Sequence, residues 1–217
     1  MNNPQIKPLE DIIPAFNYSI KEVIKLSRDI KPLDRRFDSV ISGRKSTRLF
    51  KQLELAQIGD VLWYAAKVQD TYQQDNGYIL THRGTASAGA RHPIDIIINT
   101  PVLSKGDFYY YNPFEHSLNT LKEFEGSNLI KHVNSIVDTT NATIIWFVAH
   151  KYRTQAKYSD ADSLIWRDAG ALINGIQMVC SAMGFNSCPI GSLGEPFISD
   201  YFNNQEGIVG AGGLLIG

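Results

Sequence analysis

The feature that most constrains the fold is a long apolar stripe in the C-terminal half of the chain. Its side chains recur three or four positions apart, which is the spacing of one face of an α-helix. Gly184 follows the stripe, and glycine is typical of the residue that ends a helix in the left-handed conformation. We therefore predict one long helix packed against the core, whose apolar face consists of Ile165, Ala169, Leu172, Ile176, Cys180 and Met183.

Two short segments rich in β-branched apolar residues, 94–99 and 143–149, predict strands in the interior of a sheet. A tyrosine-rich segment turns back at Asn112-Pro113 and predicts a hairpin whose tyrosines lie on the strand surface. Helices and strands are interleaved without the regular alternation and glycine fingerprint of a dinucleotide-binding fold. An α+β fold is therefore favoured.

The remaining pattern sets the expected domain organisation. Residues 55–66 carry apolar side chains at helical spacing, and the polar residues 69–84 that follow predict a loop. Residues 20–26 indicate a further short amphipathic helix. We accordingly expect an N-terminal helical arm, residues 1–42, followed by one domain of residues 43–217.

Composition narrows the function classes. The 217 residues suit one domain of ordinary size. The chain has 21 Lys and Arg against 22 Asp and Glu, which argues against nucleic acid or a membrane surface as a partner. The N-terminal segment does not resemble a secretion signal, so we expect a cytoplasmic location. Cys180 and Cys188 are predicted to be buried thiols, and the spacing of the five histidines predicts no metal site.

The most informative short segment is basic. Arg44, Ser46 and Arg48 stand at alternate positions, so in an extended backbone their side chains face one way. They could then offer guanidinium and hydroxyl donors to a phosphate or a polar ring edge, with Lys45 adding charge. Taken alone, the segment is more typical of an exposed basic loop.

Two further segments contain small residues that allow a flat ligand to approach the backbone. The first stands directly before the strand predicted at residues 94–99, and the second follows the long helix. Each by itself is typical of an ordinary turn. Their residues are Ser87, Ala88 and Gly89 in the first segment and Pro189, Ile190, Gly191 and Ser192 in the second.

Together these segments resemble the nitroreductase family in their order and spacing. The basic segment is similar to that family's N-terminal FMN-binding motif. Residues 87–93 are similar to the SAGA-x-x-P motif of its azoline-oxidising, SagB-type branch, whose aromatic hairpin the tyrosine hairpin resembles. The resemblance spans residues 44–194. It implies a homodimer with a mixed, mainly antiparallel sheet flanked by helices, and FMN bound at the subunit interface.

The resemblance also implies residue roles around FMN. Arg44, Ser46 and Arg48 would contact the ribityl phosphate and the pyrimidine edge. The backbone at Gly191 would approach the redox-active N5. Charge-assisted donors suit an anionic phosphate, and positive or N–H groups near the pyrimidine oxygen stabilise a reduced flavin.

Lys157-Tyr158 resembles the Lys-Tyr pair of the azoline-oxidising branch. Lys157 would then be the base that takes a proton as a carbon–hydrogen bond gives hydride to the flavin, and Tyr158 would assist or orient it. The pair is followed by Ala161, Asp162 and Ser163, where that branch generally has arginines, so the substrate is not implied.

Three functions remain open from the sequence. The first is dehydrogenation of an azoline or related heterocycle, either a small molecule or part of a peptide. The second is an NAD(P)H-dependent nitro or quinone reductase that uses the same flavin. The third is a non-catalytic subunit that binds a partner and has an eroded flavin site.

Overall fold

The computed structural model describes residues 2–11, 13, 16–104 and 106–217. Its helices are α1 (Phe37–Gly43), α2 (Leu55–Ala66), α3 (Ser127–Asn134), α4 (Lys151–Gln155), α5 (Asp162–Met183) and α6 (Phe197–Tyr201). Its strands are β1 (Gln5–Ile6), β2 (Ile20–Lys25), β3 (Asp70–Gln73), β4 (Ile79–His82), β5 (Ile94–Asn99), β6 (Tyr109–Asn112), β7 (Ser117–Leu121), β8 (Thr143–His150), β9 (Tyr158–Ser159), β10 (Ser187–Ile190) and β11 (Ile208–Ile216).

A seven-stranded sheet in the order β10-β11-β8-β5-β6-β7-β2 forms the centre of the molecule. The ladders between its neighbouring strands are antiparallel. Apolar side chains of α2 and α5 pack on one face, and those of α3 and α6 pack on the other. This arrangement confirms the α+β fold with a mainly antiparallel sheet flanked by helices. It also confirms that the strands predicted at residues 94–99 and 143–149 are interior.

Helix α5 confirms the prediction made from the apolar stripe. Ile165, Ile176 and Cys180 are fully buried against the sheet. Gly184 ends the helix with φ 78° and ψ 21°, and its N–H bonds the Cys180 and Ser181 carbonyls. Both cysteines are buried free thiols, as predicted. No helix in the part of the chain that the structure describes is long and apolar enough to cross a bilayer.

Two predictions of local structure are wrong. The helix expected at residues 20–26 is strand β2, which pairs with β7 at the edge of the sheet. Ile20, Ile24 and Leu26 differ by even numbers and so also share one face of a strand. The loop expected at residues 69–84 contains the β3–β4 hairpin.

The N-terminal arm is therefore not purely helical, because β2 within residues 1–42 belongs to the central sheet. The tyrosine hairpin of β6 and β7 is confirmed, but its exposed surface is not. Tyr109 and Tyr111 are both buried, since β6 lies inside the sheet and its alternate side chains point into the core under α2.

The glycine-rich C-terminal segment forms β11. Close packing against a large side chain explains one of its glycines. A Cβ atom on Gly213 would lie 2.3 Å from the ring of the buried Trp146 on the neighbouring strand. Only glycine lets the two backbones pair across that ring.

Candidate active site

An aspartate on α5 anchors the small-residue loop that precedes β5. Ser87 Oγ donates to Asp168 Oδ2 at 2.6 Å, and the Ala88 N–H donates to Asp168 Oδ1 at 3.1 Å. The His92 N–H in turn donates to Ser87 Oγ at 2.8 Å. Asp168 is 8% exposed, and this burial raises its pKa despite the hydrogen bonds that it accepts. The loop is therefore held in place by the core helix.

The same loop is backed by the candidate catalytic pair. Gly89 has φ 60°, and a Cβ atom there would lie 2.8 Å from Tyr158 Oη and 3.1 Å from Lys157 Cδ. Both the left-handed backbone and the close approach require glycine at this position. Ala90 and His92 also have positive φ values of 53° and 43°. Such non-glycine conformations cost about 1–3 kcal/mol each and tend to occur at functional sites.

A glutamate from the N-terminal segment neutralises the lysine of the pair. Lys157 Nζ lies 3.5 Å from Glu10 Oε1, and the other carboxylate oxygen of Glu10 binds the guanidinium of Arg91. Burial opposes the charge on Glu10, but Arg91 and Lys157 outweigh it and lower the pKa of Glu10. Strand β1 also pairs with β9, so the N-terminal segment lies directly against Lys157 and Tyr158.

A buried polar network lies beneath this region on the opposite face of β5. Arg153 forms two hydrogen bonds to Asp95, at 2.7 and 2.8 Å. Tyr18 Oη lies 2.9 Å from both Asp95 Oδ2 and His150 Nε2. Burial would raise the pKa of Asp95, but the charge of Arg153 overrides it and holds that pKa well below its usual range. The network is internally satisfied and fixes the end of β5 that leads out of the small-residue loop.

The basic segment lies at the other end of α5. Arg44 and Lys45 line a cavity of about 190 Å³ together with Arg35 and Gln177. No carboxylate lines this cavity, and Arg44 and Lys45 form no ion pair with any described residue. Gln177 is 7% exposed, and its Nε2 has no hydrogen-bond partner among the described residues. This end therefore offers unsatisfied donors and positive charge.

The other predicted binding residues are less enclosed. Ser46 and Arg48 are exposed, and they do not line the Arg44 cavity. Pro189 and Ile190 belong to β10, whereas Gly191 is exposed in the turn that follows. Ser192 lies 2.7 Å from His132 Nε2, which fixes that turn against α3.

The structure thus brings together two of the predicted segments in one chain. Lys157 and Tyr158 contact the loop that contains Ser87, Ala88 and Gly89. Arg44 lies at the opposite end of α5, beside Gln177. Gln177 is about 14 Å farther along the helix than Asp168, at a rise of about 1.5 Å per residue. Within a single chain, the basic segment and the small-residue loop do not line a common cavity among the described residues.

Three residues of this region escape sequence reasoning. Asp168 and Gln177 are polar residues within an otherwise apolar helix pattern, and this breach of the pattern was the available signal. Glu10 gives no such signal, because its contacts with Asn76 and Arg91 join positions 66 and 81 residues apart along the chain. The described residues contain no cluster of His, Cys, Asp and Glu suited to hold a metal ion.

Comparison with known proteins assigns the class of protein. The model of the nitroreductase family matches residues 41–216 of the chain. This match covers more than half of the chain and includes six of the seven strands of the central sheet, α5 and every predicted binding segment. The chain belongs to the nitroreductase family and is an oxidoreductase of that family.

Solved structures share the fold at low sequence identity. A candidate nitroreductase from Ralstonia eutropha JMP134 is 21% identical, covers 98% of this chain and 97% of its own, and has a TM-score of 0.67. A second, from Anabaena variabilis ATCC 29413, is 18% identical over 98% of this chain and 42% of its own, also at 0.67. The E. coli microcin synthetase McbBCD complex with truncated pro-MccB17 bound contains a chain that is 15% identical over 91% of this chain and 77% of its own, at 0.61. No curated protein sequence gives a significant match.

Proposed function

We propose that the protein is an FMN-dependent dehydrogenase that oxidises an azoline or related heterocycle. The observation that carries this proposal is the contact between the Lys157-Tyr158 pair and the loop of Ser87, Ala88 and Gly89. The two motifs that resemble the azoline-oxidising branch are 68 or more residues apart in sequence, yet they form one surface. The proposal extends the family assignment to a cofactor, a substrate class and residue roles.

The Arg44 end of the molecule fits the anionic part of FMN. Arg44 and Lys45 supply charge-assisted donors in a cavity that has no carboxylate to compete with a phosphate. The buried Nε2 of Gln177 needs an acceptor, which a phosphate or a flavin carbonyl oxygen would provide. We assign Arg44, Lys45, Ser46 and Arg48 to cofactor binding on this basis. Bound FMN would accept the two electrons that leave the substrate as a hydride.

A homodimer would complete the site. Arg44 and the small-residue loop lie at opposite ends of α5 and line separate cavities among the described residues of one chain, so in our proposal they reach one flavin from different chains. Apolar side chains next to the basic segment support a subunit contact, since Phe37, Ile41 and Leu49 are all exposed. Pro189, Ile190, Gly191 and Ser192 would lie against the central ring in this assembly. We place this homodimer in the cytoplasm.

The chain's own residues would move the proton. Lys157 pairs with Glu10, so its ammonium would first have to lose a proton to solvent before the amine could accept one from the substrate. Tyr158 Oη, packed over Gly89, is positioned to orient the heterocycle or to relay that proton. The side chains of this surface are small, which leaves room for a flat ring system beside Ser87, Ala88 and Gly89.

A peptide-borne substrate is the form that we favour. Strand β9 holds Tyr158 at an edge that already pairs with an extended segment, β1. An extended peptide could use the same backbone groups. The McbBCD synthetase complex, which has truncated pro-MccB17 bound, contains a chain of this fold.

The decisive experiment replaces the lysine. Lys157→Met should retain the yellow colour and lose at least about a hundredfold in turnover of a thiazoline-containing peptide, because a general base contributes roughly 10²–10⁴-fold. Lys151→Met is a matched control, because Lys151 is a half-buried lysine six residues earlier in the chain and forms an ion pair with Asp162. It should keep normal turnover. Full activity of Lys157→Met would remove the catalytic assignment.

Spectroscopy separates the alternatives. Rapid bleaching of the flavin by NAD(P)H, without oxidation of the thiazoline peptide, would favour a nitro or quinone reductase. A colourless protein that cannot be reconstituted with FMN would favour a partner-binding subunit. Arg44→Ala tests the cofactor site directly and should weaken FMN binding at least about tenfold, whereas Arg36→Ala, on an exposed surface pair, should not.

A further inference from the structure

A second cavity, distinct from the one at Arg44, lies behind the small-residue loop. It has a volume of about 520 Å³, within the range of about 300–1,000 Å³ typical of small-molecule sites. Arginine side chains and aromatic rings line it together. The lining includes Arg83, Arg91, Arg153, Tyr78, Tyr110 and Phe114.

Arg91 points to a missing ligand in this cavity. The residue is 2% exposed, and only its Nη2 is paired, with the Glu10 carboxylate. Its Nε and Nη1 are buried and have no hydrogen-bond partner among the described residues. The guanidinium stacks over the Tyr78 ring with Cζ 4.1 Å from the ring centroid. Stacking directs the N–H groups away from the ring face, so Tyr78 cannot satisfy them.

The charges around the cavity do not balance. Asp95 is engaged by Arg153 through two hydrogen bonds, and Glu10 is engaged by Arg91. Arg83 forms one hydrogen bond, from Nε to Thr81 Oγ1 at 3.1 Å, and no ion pair with a described residue. Glu10 is also shared with Lys157, so these two carboxylates face three arginines and a lysine, and Arg83 is the arginine without an ion pair among the described residues.

The nearby histidine does not change this balance. Burial, followed by the charge of Arg83, lowers the pKa of His92 to about 3, so that His92 is neutral at physiological pH. Its Nε2 lies 3.0 Å from the Thr81 carbonyl oxygen, which indicates the tautomer with hydrogen on Nε2. Arg83 therefore keeps an uncompensated positive charge in a half-buried site, and an unpaired buried charge is costly.

We propose that this cavity binds an aromatic carboxylate that carries one negative charge. The carboxylate would pair with Arg83 and the free donors of Arg91, and the ring would pack among Tyr78, Tyr110 and Phe114. One negative charge matches the uncompensated arginine, and a planar carboxylate matches the two-donor edge of a guanidinium. The site does not depend on the proposed flavin chemistry. Arg91 and Lys157 both contact Glu10, however. A ligand that competes with Glu10 for Arg91 would therefore also change the surroundings of Lys157.

Calorimetric titration of the purified protein with benzoate tests this proposal. Benzoate should bind at least tenfold more tightly than its uncharged analogue benzamide, and also more tightly than acetate, which lacks the ring. Arg83→Gln should weaken benzoate binding at least tenfold. Arg36→Gln, which removes an exposed arginine far from the cavity, should bind benzoate like the wild type.

Each contrary result is decisive. Equal binding of benzoate and benzamide would refute the role of the charge, and equal binding of acetate would refute the role of the ring. Unchanged affinity in Arg83→Gln, or no saturable binding to folded wild-type protein, would remove the site. If flavin is bound and benzoate shifts its absorption spectrum, the ligand occupies the Lys157 surface instead. Arg83→Lys provides a second variant that keeps the charge should Arg83→Gln not fold.

Discussion

The two ends of α5 differ in how far one chain satisfies its own polar groups. At the Asp168 end, the carboxylate, the Ser87 hydroxyl and the N–H groups of Ala88 and His92 are hydrogen bonded within the chain. At the other end, Arg44 and Lys45 lack carboxylate partners among the described residues, and Gln177 Nε2 is unpaired. A buried polar group without a partner is costly, so such groups mark where something else binds. The contacts around Asp168 are complete, although Arg91 farther along the same loop keeps two unpaired donors, and the Arg44 end is where we propose that the cofactor binds.

The largest expected effect comes from removing the carboxylate at the Asp168 end of α5. Asp168→Ala removes the acceptor for Ser87 and Ala88 and leaves their donors unpaired, which should lower the free energy of unfolding by about 3 kcal/mol. Chemical denaturation measures this loss. Asp34→Ala, at an exposed position, should stay within about 0.5 kcal/mol of the wild type. A wild-type midpoint for Asp168→Ala would show that the loop holds itself.

A somewhat smaller change in the free energy of unfolding should follow from a change in pH, through His92 at the Asp168 end of α5. Burial lowers the pKa of His92 from 6.5 to about 3, so the unfolded chain binds the proton more readily than the folded one. The stabilisation is therefore complete above about pH 6.5 and is lost as the pH falls toward 3. Between pH 7 and pH 5 this histidine should account for a loss of about 2 kcal/mol.

His92→Gln isolates that contribution, because glutamine keeps a donor for the Thr81 carbonyl but does not titrate. Unfolding free energies at pH 7 and pH 5 should differ less in this variant than in the wild type. His82→Gln, at an exposed position, should leave the pH dependence as it was. If His92→Gln retains the full acid sensitivity, the protonation responsible belongs to another group.

The sequence allowed the interior strands β5 and β8 and helix α5 to be predicted because their patterns are local. The two strands are rich in β-branched and other apolar residues, and α5 repeats its apolar face over six positions. Strand β2 was mistaken for a helix because a spacing of four residues, as between Ile20 and Ile24, places side chains on one face of either structure. The β3–β4 hairpin was missed because its polar side chains are mostly exposed and show no alternation.

Only the residues of the site that belong to a recognisable sequence motif could be predicted. Lys157, Tyr158 and Gly89 belong to two motifs that resemble one branch of the family, and the structure places them next to each other. Nothing in the sequence shows that Asp168 holds the loop or that Glu10 holds Lys157. Those contacts depend on tertiary packing between segments far apart in the chain. The separation of Arg44 from Ser87 along α5 is likewise a property of the fold and not of the motifs.

The smallest expected effect concerns Gln177, at the Arg44 end of α5. It is a gain in stability, whereas the other two are losses. Gln177→Leu replaces an unpaired buried amide with an apolar side chain of similar size, so the flavin-free protein should gain about 1 kcal/mol of stability. The same change should weaken FMN binding severalfold, because the amide would lose its ligand acceptor. The exposed Gln52→Leu should change neither quantity by a comparable amount. A gain in stability without a loss of FMN affinity would show that the orphaned amide serves another ligand. A loss of stability would show that Gln177 is already satisfied in the free protein, and the two ends of α5 would then no longer differ in kind.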